Sequence, residues 1–203
     1  MPSASSASKP LLVLATLNAG KARELAALLG GVPYEVRALA ELPGGALPEE
    51  TGDSYRANAL LKARAAARRA GAWALADDSG IEVAALAGAP GVRSARFGGP
   101  GLDDARRCAL LLEALRGVPP EQRAARFRCV VAVVDPAGRE HTAEGAVDGV
   151  ITDAPRGKHG FGYDPLFFYP PLGRTFAELS PDEKARVDHR GRAVRAARPF
   201  LTG

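Results

Sequence analysis

Leu11-Leu12-Val13-Leu14-Ala15-Thr16-Leu17-Asn18-Ala19-Gly20-Lys21 is the stretch that decides the fold. Leu11 to Ala15 is a short apolar run of the kind a buried strand needs. Asn18 is a good helix N-cap. Ala22, Leu25, Ala26, Leu28 and Leu29 then recur at helical spacing until Gly30-Gly31. The unit is therefore strand, tight turn, helix. Working outward, Tyr34 to Arg37 reads as a second strand. Asp53 or Ser54 caps a helix that runs to about Ala70 and stops at Gly71. Trp73 to Asp77 reads as a buried strand ending in Asp77-Asp78-Ser79-Gly80. Asp103 starts a helix through Leu115. Phe127–Val134 and Arg139–Val150 alternate like paired strands around the turn Asp135-Pro136-Ala137-Gly138. Gly157 to Asp164 is a Gly-rich loop. Ser180-Pro181-Asp182-Glu183 is a capping box with Pro at the first helical position. A last helix spans about His189 to Leu201. Crossover-linked and hairpin-linked strands in one chain predict a mixed α/β domain.

The 203 residues suit one large domain or two small lobes sharing a core. That length buries a sizeable core without disulfides or metals. Hydrophobic residues at 46% and charged residues at 25% exclude bulk disorder, collagen-like repeats and coiled coil. No apolar run reaches the roughly 18 residues of a membrane span. Residues 1–9, MPSASSASK, are small and polar, and read as a disordered tail preceding one domain over 10–203, not as a secretory signal. Cys108 and Cys129 are too few for a disulfide framework and read as reduced buried thiols, which fits a cytoplasmic protein. The net charge is +4, from 27 basic and 23 acidic residues. The charges are scattered. Arg64-Arg68-Arg69 and Arg123-Arg126-Arg128 read as solvated faces rather than a nucleic-acid patch.

Three polar clusters fall at predicted element ends, where sites are usually built. In the first, the turn Thr16 to Lys21 feeds a helix whose first amides lack partners. Those amides and the helix dipole favour an anion, and Lys21 adds a point charge. A plain capped helix start explains the same residues. The second joins Glu50 to Asp77-Asp78. Successive strand residues point to opposite faces, so one acid can face a site. Mg²⁺ takes one or two protein carboxylates and fills its other positions with water and phosphate. An Asp-Ser-Gly turn bonding its own backbone is the alternative. The third is Gly160-Phe161-Gly162-Tyr163-Asp164-Pro165, with Lys184 and His189-Arg190 downstream. An aromatic ring between glycines suits stacking on a nucleobase. Arg and Lys only donate, so together they favour a 6-oxo purine over a 6-amino one. Core packing of the aromatics and a solvated helix start are the alternatives.

Taken together the clusters resemble the inosine/xanthosine triphosphate pyrophosphatase family. The similarity runs from Leu11 to about Leu201. Its landmarks come in order: Thr16-x-Asn18-x-x-Lys21, Asn58-Ala59-x-x-Lys62-Ala63, Ala76-Asp77-Asp78-Ser79-Gly80, Gly88-Ala89-Pro90-Gly91 with Ser94-Ala95-Arg96, Gly160 to Pro165, Glu178-Leu179, and Lys184 before His189-Arg190-Gly191.

The resemblance implies a homodimer of two-lobed α/β subunits, with an elongated mixed sheet, flanking helices and a central cleft. It implies Mg²⁺-dependent cleavage of ITP, dITP or XTP to the monophosphate and pyrophosphate, with no nucleic-acid or membrane partner. By matching position, Thr16, Leu17, Asn18, Ala19, Gly20 and Lys21 hold the triphosphate. Asp78 is the general base, and Glu50 with Asp78 holds the metal. Ser79, Phe161, Gly162, Tyr163, Asp164, Lys184, His189 and Arg190 form the substrate pocket. Three positions depart from the family pattern: Leu17 where a small or polar residue is usual, Ala57 where an acid is common, and Asp188 where Ser commonly precedes His-Arg. The rival readings are a pyrophosphatase for modified pyrimidine nucleotides and a basic nucleic-acid-binding domain.

Overall fold

In the computed structural model, strands β1 (Leu11–Leu14) and β2 (Glu35–Ala38) are joined by helix α1 (Ala19–Leu28). They run parallel, as a helical crossover requires. The structure describes residues 8–202, so nearly all of the expected tail lies outside the described residues. Helix α2 (Tyr55–Ala70) starts at Ser54, whose Oγ accepts from the Ala57 amide at 3.2 Å. It ends at Gly71, which takes φ 57°, a conformation that favours glycine. Strand β3 (Trp73–Val83), helix α3 (Asp104–Ala114) and strands β4 (Ala124–Val134) and β5 (Glu140–Ile151) follow. Short strands β6 (Phe167–Tyr169) and β7 (Arg174–Thr175) precede helices α4 (Pro181–Val187) and α5 (His189–Thr202). The described residues form a seven-stranded sheet in the order β2-β1-β3-β4-β5-β6-β7. The β1 pairs are parallel and the rest antiparallel. No helix among the described residues is long and apolar enough to cross a membrane.

One expectation is corrected here. Asp77 to Gly80 are not a turn ending a strand. They are the middle of β3, and Ala74 to Val83 pair residue by residue with Val134 to Ala125 of β4. The β4 backbone satisfies the amides and carbonyls that a local Asp-Ser-Gly turn would otherwise have bonded. The polar residues interrupt the apolar run without interrupting the ladder.

Alternation along the long strands builds two cores. Leu12, Leu14, Leu75 and Val131 meet Leu25 of α1 and Val194 of α5 on one face. Val13, Ala74, Ala76, Val130 and Ala132 meet Ala59 and Ala63 of α2 on the other. Alanine on both sides lets α2 lie close to the sheet. A third cluster, with Ile81, Leu111, Phe127, Phe167 and Phe176, covers the far ends of the same strands. Truncating a fully buried leucine such as Leu25 to Ala would cost about 2–5 kcal/mol. The Asp77–Gly80 segment lies where the near and far cores meet.

Candidate active site

Strand alternation aims Asp77 and Asp78 at opposite faces of the sheet. Asp77, fully buried, faces α1 and α5. Its Oδ2 lies 3.1 Å from Lys21 Nζ and 3.1 Å from Arg190 Nε. Its Oδ1 has no hydrogen-bond partner. Burial alone would raise its pKa, but Lys21, Arg190 and Lys62 outweigh burial and hold the carboxyl well below the usual range. Asp78 faces α2. Asn58 Nδ2 donates to its Oδ2 at 3.0 Å, and Lys62 Nζ lies 3.9 Å from its Oδ1. Here burial wins over Lys62 and Lys21, and the Asp78 carboxyl is pushed up.

Helix α2 positions both partners of Asp78, because Asn58 and Lys62 are four residues apart on its buried stripe. Lys62 also donates to Glu50 Oε1 at 2.6 Å. It therefore gathers Glu50 and Asp78 around one positive charge. Asn58 Oδ1 and Arg96 Nη1 brace the loop that carries Glu50, through the Gly52 amide at 2.8 Å and the Glu50 carbonyl at 3.0 Å. Burial would raise Glu50, but Lys62 outweighs it and holds it below its ordinary pKa. Among the described residues, no three His, Cys, Asp or Glu side chains gather as a metal cage.

Asn18 caps α1 as expected, its Oδ1 accepting from the Lys21 amide at 3.0 Å. Gly20 is required by close approach, since a Cβ there would sit 2.6 Å from the Phe161 ring. The ring lies under two cations, with Lys184 Nζ 5.1 Å and Arg190 Cζ 5.4 Å from its centroid. Asp164 Oδ2 fixes the loop by accepting from the Phe161 amide at 2.9 Å and from Lys184. Asp104 at the start of α3 accepts from the Gly162 amide at 2.7 Å. His189 is buried, stacked on Phe127 at 4.5 Å and 6°, with no partner for Nδ1. Burial first, then Arg190 and Lys184, hold it well below the ordinary histidine pKa.

One cleft is lined by twelve of the expected residues: Asn18, Lys21, Glu50, Asp78, Ser79, Phe161, Gly162, Tyr163, Asp164, Lys184, His189 and Arg190. Four expected residues stand outside its lining. Thr16 is buried and accepts from the Asn18 amide through Oγ1 at 3.2 Å. The Leu17 side chain is 58% exposed and points into solvent. Ala19 lies on the helix start, and Gly20 lines a neighbouring hollow beyond Phe161. Tyr163 is held by its hydroxyl to the Ser94 carbonyl at 2.9 Å, as a wall rather than a free group.

Lys184 and Arg190 are not idle donors, as sequence reasoning had them. Glu24 takes Lys184 Nζ at 2.8 Å and also pairs with Arg190 Nη1. Ser79 Oγ accepts from Arg190 Nη2 at 3.0 Å. Glu24, Asn58, Lys62 and Asp104 were given no role from sequence. Asn58 and Lys62 carried a signal, being four apart in an Ala-rich helix that otherwise buries alanines. Glu24 carried none, since a helix glutamate normally faces water. Asp188 caps α5, its Oδ1 accepting from the Gly191 amide at 2.6 Å. Burial pushes its carboxyl up to about 6, against the opposing pull of Arg190 and Lys184.

Fold and cleft together define an α/β protein with an inner strand that carries acids on both faces, beside a helix start armed with a cation. The sequence model of the Ham1 family matches residues 12–200, and the chain belongs to that family. A dITP/XTP pyrophosphatase of Desulforamulus reducens is 53% identical over 190 residues, 94% of each chain. A dITP/XTP pyrophosphatase of Thermus thermophilus is 50% identical over 185 residues, 91% of this chain and 88% of that one. The solved HAM1 protein of Coxiella burnetii superposes with a TM-score of 0.85 at 41% identity, covering 95% of this chain and 98% of that one.

Proposed function

We propose that this protein hydrolyses non-standard purine nucleoside triphosphates (ITP, dITP and XTP) to the monophosphate and pyrophosphate. The observation that carries the proposal is the single cleft shared by Lys21, Glu50, Asp78, Phe161 and Arg190. It gives a phosphate end and a base end adjoining seats. The names of the relatives support the same activity.

Lys21, beside the positive end of α1, takes the triphosphate by giving up its contact with Asp77. Asp78 takes the proton of the attacking water. The water oxygen bonds the α-phosphorus, the bond to the bridging oxygen breaks, and pyrophosphate leaves with that electron pair. Burial makes Asp78 a stronger base than an ordinary aspartate. Asn58 holds its Oδ2, which fixes the direction of the carboxylate. Glu50 and Asp78 fit Mg²⁺: they offer hard carboxylate oxygens, two in number, already gathered around the positive charge of Lys62. Mg²⁺ bound there supplies charge against the phosphate oxygens. Phe161 stacks on the base. Lys184 and Arg190 donate to a 6-oxo group, and a 6-amino group leaves them facing another donor. A mismatch of that kind underlies large discrimination. The same reading carries a homodimer acting on the cytoplasmic nucleotide pool, checked by light scattering and cell fractionation.

The test is pyrophosphate release from ITP, dITP, XTP, ATP, GTP and modified pyrimidine triphosphates, with Mg²⁺ or with a chelator. The expected result is ITP and XTP turnover at least about tenfold above ATP in kcat/KM, abolished by chelation. Equal rates on ATP, or a preference for pyrimidines, would overturn the proposal.

A further inference from the structure

Lys21 and Arg190 serve opposite ends of the proposed substrate, yet both bind the same atom. Asp77 Oδ2 lies 3.1 Å from each, while Oδ1 receives nothing. Ser79 Oγ, at 3.4 Å, also approaches Oδ2. Asp77 and Arg190 are buried and Lys21 is 15% exposed, so water screens the three charges only weakly from one another. Two cations on one oxygen share its lone pairs and repel each other. Whatever draws one away leaves the whole negative charge to the other.

We infer that Asp77 is a positioning residue that couples triphosphate binding to base recognition. The inference rests on the pyrophosphatase reading above. In the empty cleft Asp77 parks Lys21. A polyphosphate draws Lys21 off, and Asp77 then holds Arg190 through Nε alone. Nε is the one guanidinium nitrogen that faces away from Glu24 and Ser79. Fixing it sets the two terminal nitrogens before a base arrives. The phosphate end meets the cost of breaking the shared contact, and the base end finds Arg190 already oriented. The coupling is therefore positive. By linkage it is also reciprocal, so a bound nucleoside tightens polyphosphate binding by the same factor.

This account is distinct from simple support of the fold. A carboxylate that only stabilised the structure would change both affinities or neither, and would leave them independent of each other.

The experiment is calorimetric titration of the full-length protein with inosine in Mg²⁺ buffer, alone and with saturating inorganic tripolyphosphate. Tripolyphosphate is expected to tighten inosine binding at least about fivefold, the lower end of measured couplings. In Asp77→Asn the factor is expected to fall below about twofold. If that variant fails to fold by circular dichroism, Lys21→Ala replaces it with the same expectation, read only at a tripolyphosphate concentration that a separate titration shows to saturate the variant, because it removes the cation that carries the coupling. A wild-type factor under twofold, or the same factor in wild type and variant, overturns the inference while leaving the pyrophosphatase reading intact. Inosine that binds wild type under neither condition overturns both.

Discussion

On one side of β3, Asp77 has two cations within 3.1 Å of a single oxygen. On the other side, Asp78 has an amide at 3.0 Å and an ammonium only at 3.9 Å. Both acids are buried, and one peptide bond separates them. Direct charge contact overcomes burial for Asp77 and holds its pKa down. Burial overcomes the more distant charge for Asp78 and raises it. Burial, then, does not decide whether a carboxylate becomes a counter-ion or a base. The number of cations in direct contact decides it: Asp164, buried against Lys184 alone, is raised as Asp78 is. The helices on each face set that number, α1 and α5 on one side and α2 on the other.

The sharpest way to break this comparison is to neutralise each acid in turn. Asp78→Asn should lower the single-turnover rate about 10²–10⁴-fold with an unchanged circular dichroism spectrum, the usual worth of a general base. A folded variant above a tenth of the wild-type rate would make the two acids alike. Asp77→Asn should also act on stability, costing about 3–5 kcal/mol at pH 7, because the buried Arg190 and the half-buried Lys21 lose the charge they share. Urea unfolding measures it. The sign follows from a folded pKa below the unfolded one: the contribution is complete above about pH 4 and fades as pH falls towards the lower folded value. The gap between wild type and variant should therefore narrow in acid. A constant gap contradicts the charge account.

Two smaller effects refine the comparison. Asn58→Ala removes a hydrogen bond to a charged acceptor, worth about 1.5–3 kcal/mol, so kcat should fall about 10–100-fold. The acid limb of the kcat–pH profile should move to higher pH, since the lost bond favoured the ionised form. A fall in kcat with an unmoved limb would mean that Asn58 acts on the Gly52 loop alone. Asp188 is the intermediate case. It lies near Lys184 and Arg190 without an ion pair to either, and it is pushed up to about 6. Its folded pKa exceeds the unfolded one, so its ionisation removes stability as pH rises from about 4 through 6. Asn can still cap the Gly191 amide. Asp188→Asn should therefore gain about 3 kcal/mol at pH 7, from a shift of about two pKa units, and nothing below about pH 4. Thermal melts across that range decide it.

Local signals carried most of the architecture. Asn18, Ser54, Asp103 and Ser180 each cap the helix they were expected to start. The long hairpin turns at Asp135–Gly138 as read, with Asp135 Oδ1 accepting from the Ala137 and Arg139 amides. The reading failed where the partner was distant in sequence. Asp77 to Gly80 read as a turn because what keeps them extended is β4, some fifty residues on. The family pattern pointed to twelve residues of the cleft wall. It did not reveal that Lys184 and Arg190 are tied to Glu24, a contact spanning 160 residues for one and 166 for the other. A surface-type residue on an exposed-looking helix gives no sign of such a partner.

The unbroken pairing of β3 with β4 sets a reading frame for chemistry. Each residue of β3 from Ala74 to Val83 has one partner, and neighbouring side chains take opposite faces. A one-codon deletion between Trp73 and Ala76 that kept the ladder of the inner strand would turn Asp78 towards Lys21 and Arg190, and Asp77 towards Asn58 and Lys62. The gene would still encode every site residue, yet Asp78 would stand in the counter-ion position and Asp77 would fall on the former place of Ala76, leaving the base position empty of an acid. A single lost codon there re-aims both acids at once, which no single substitution at either position does.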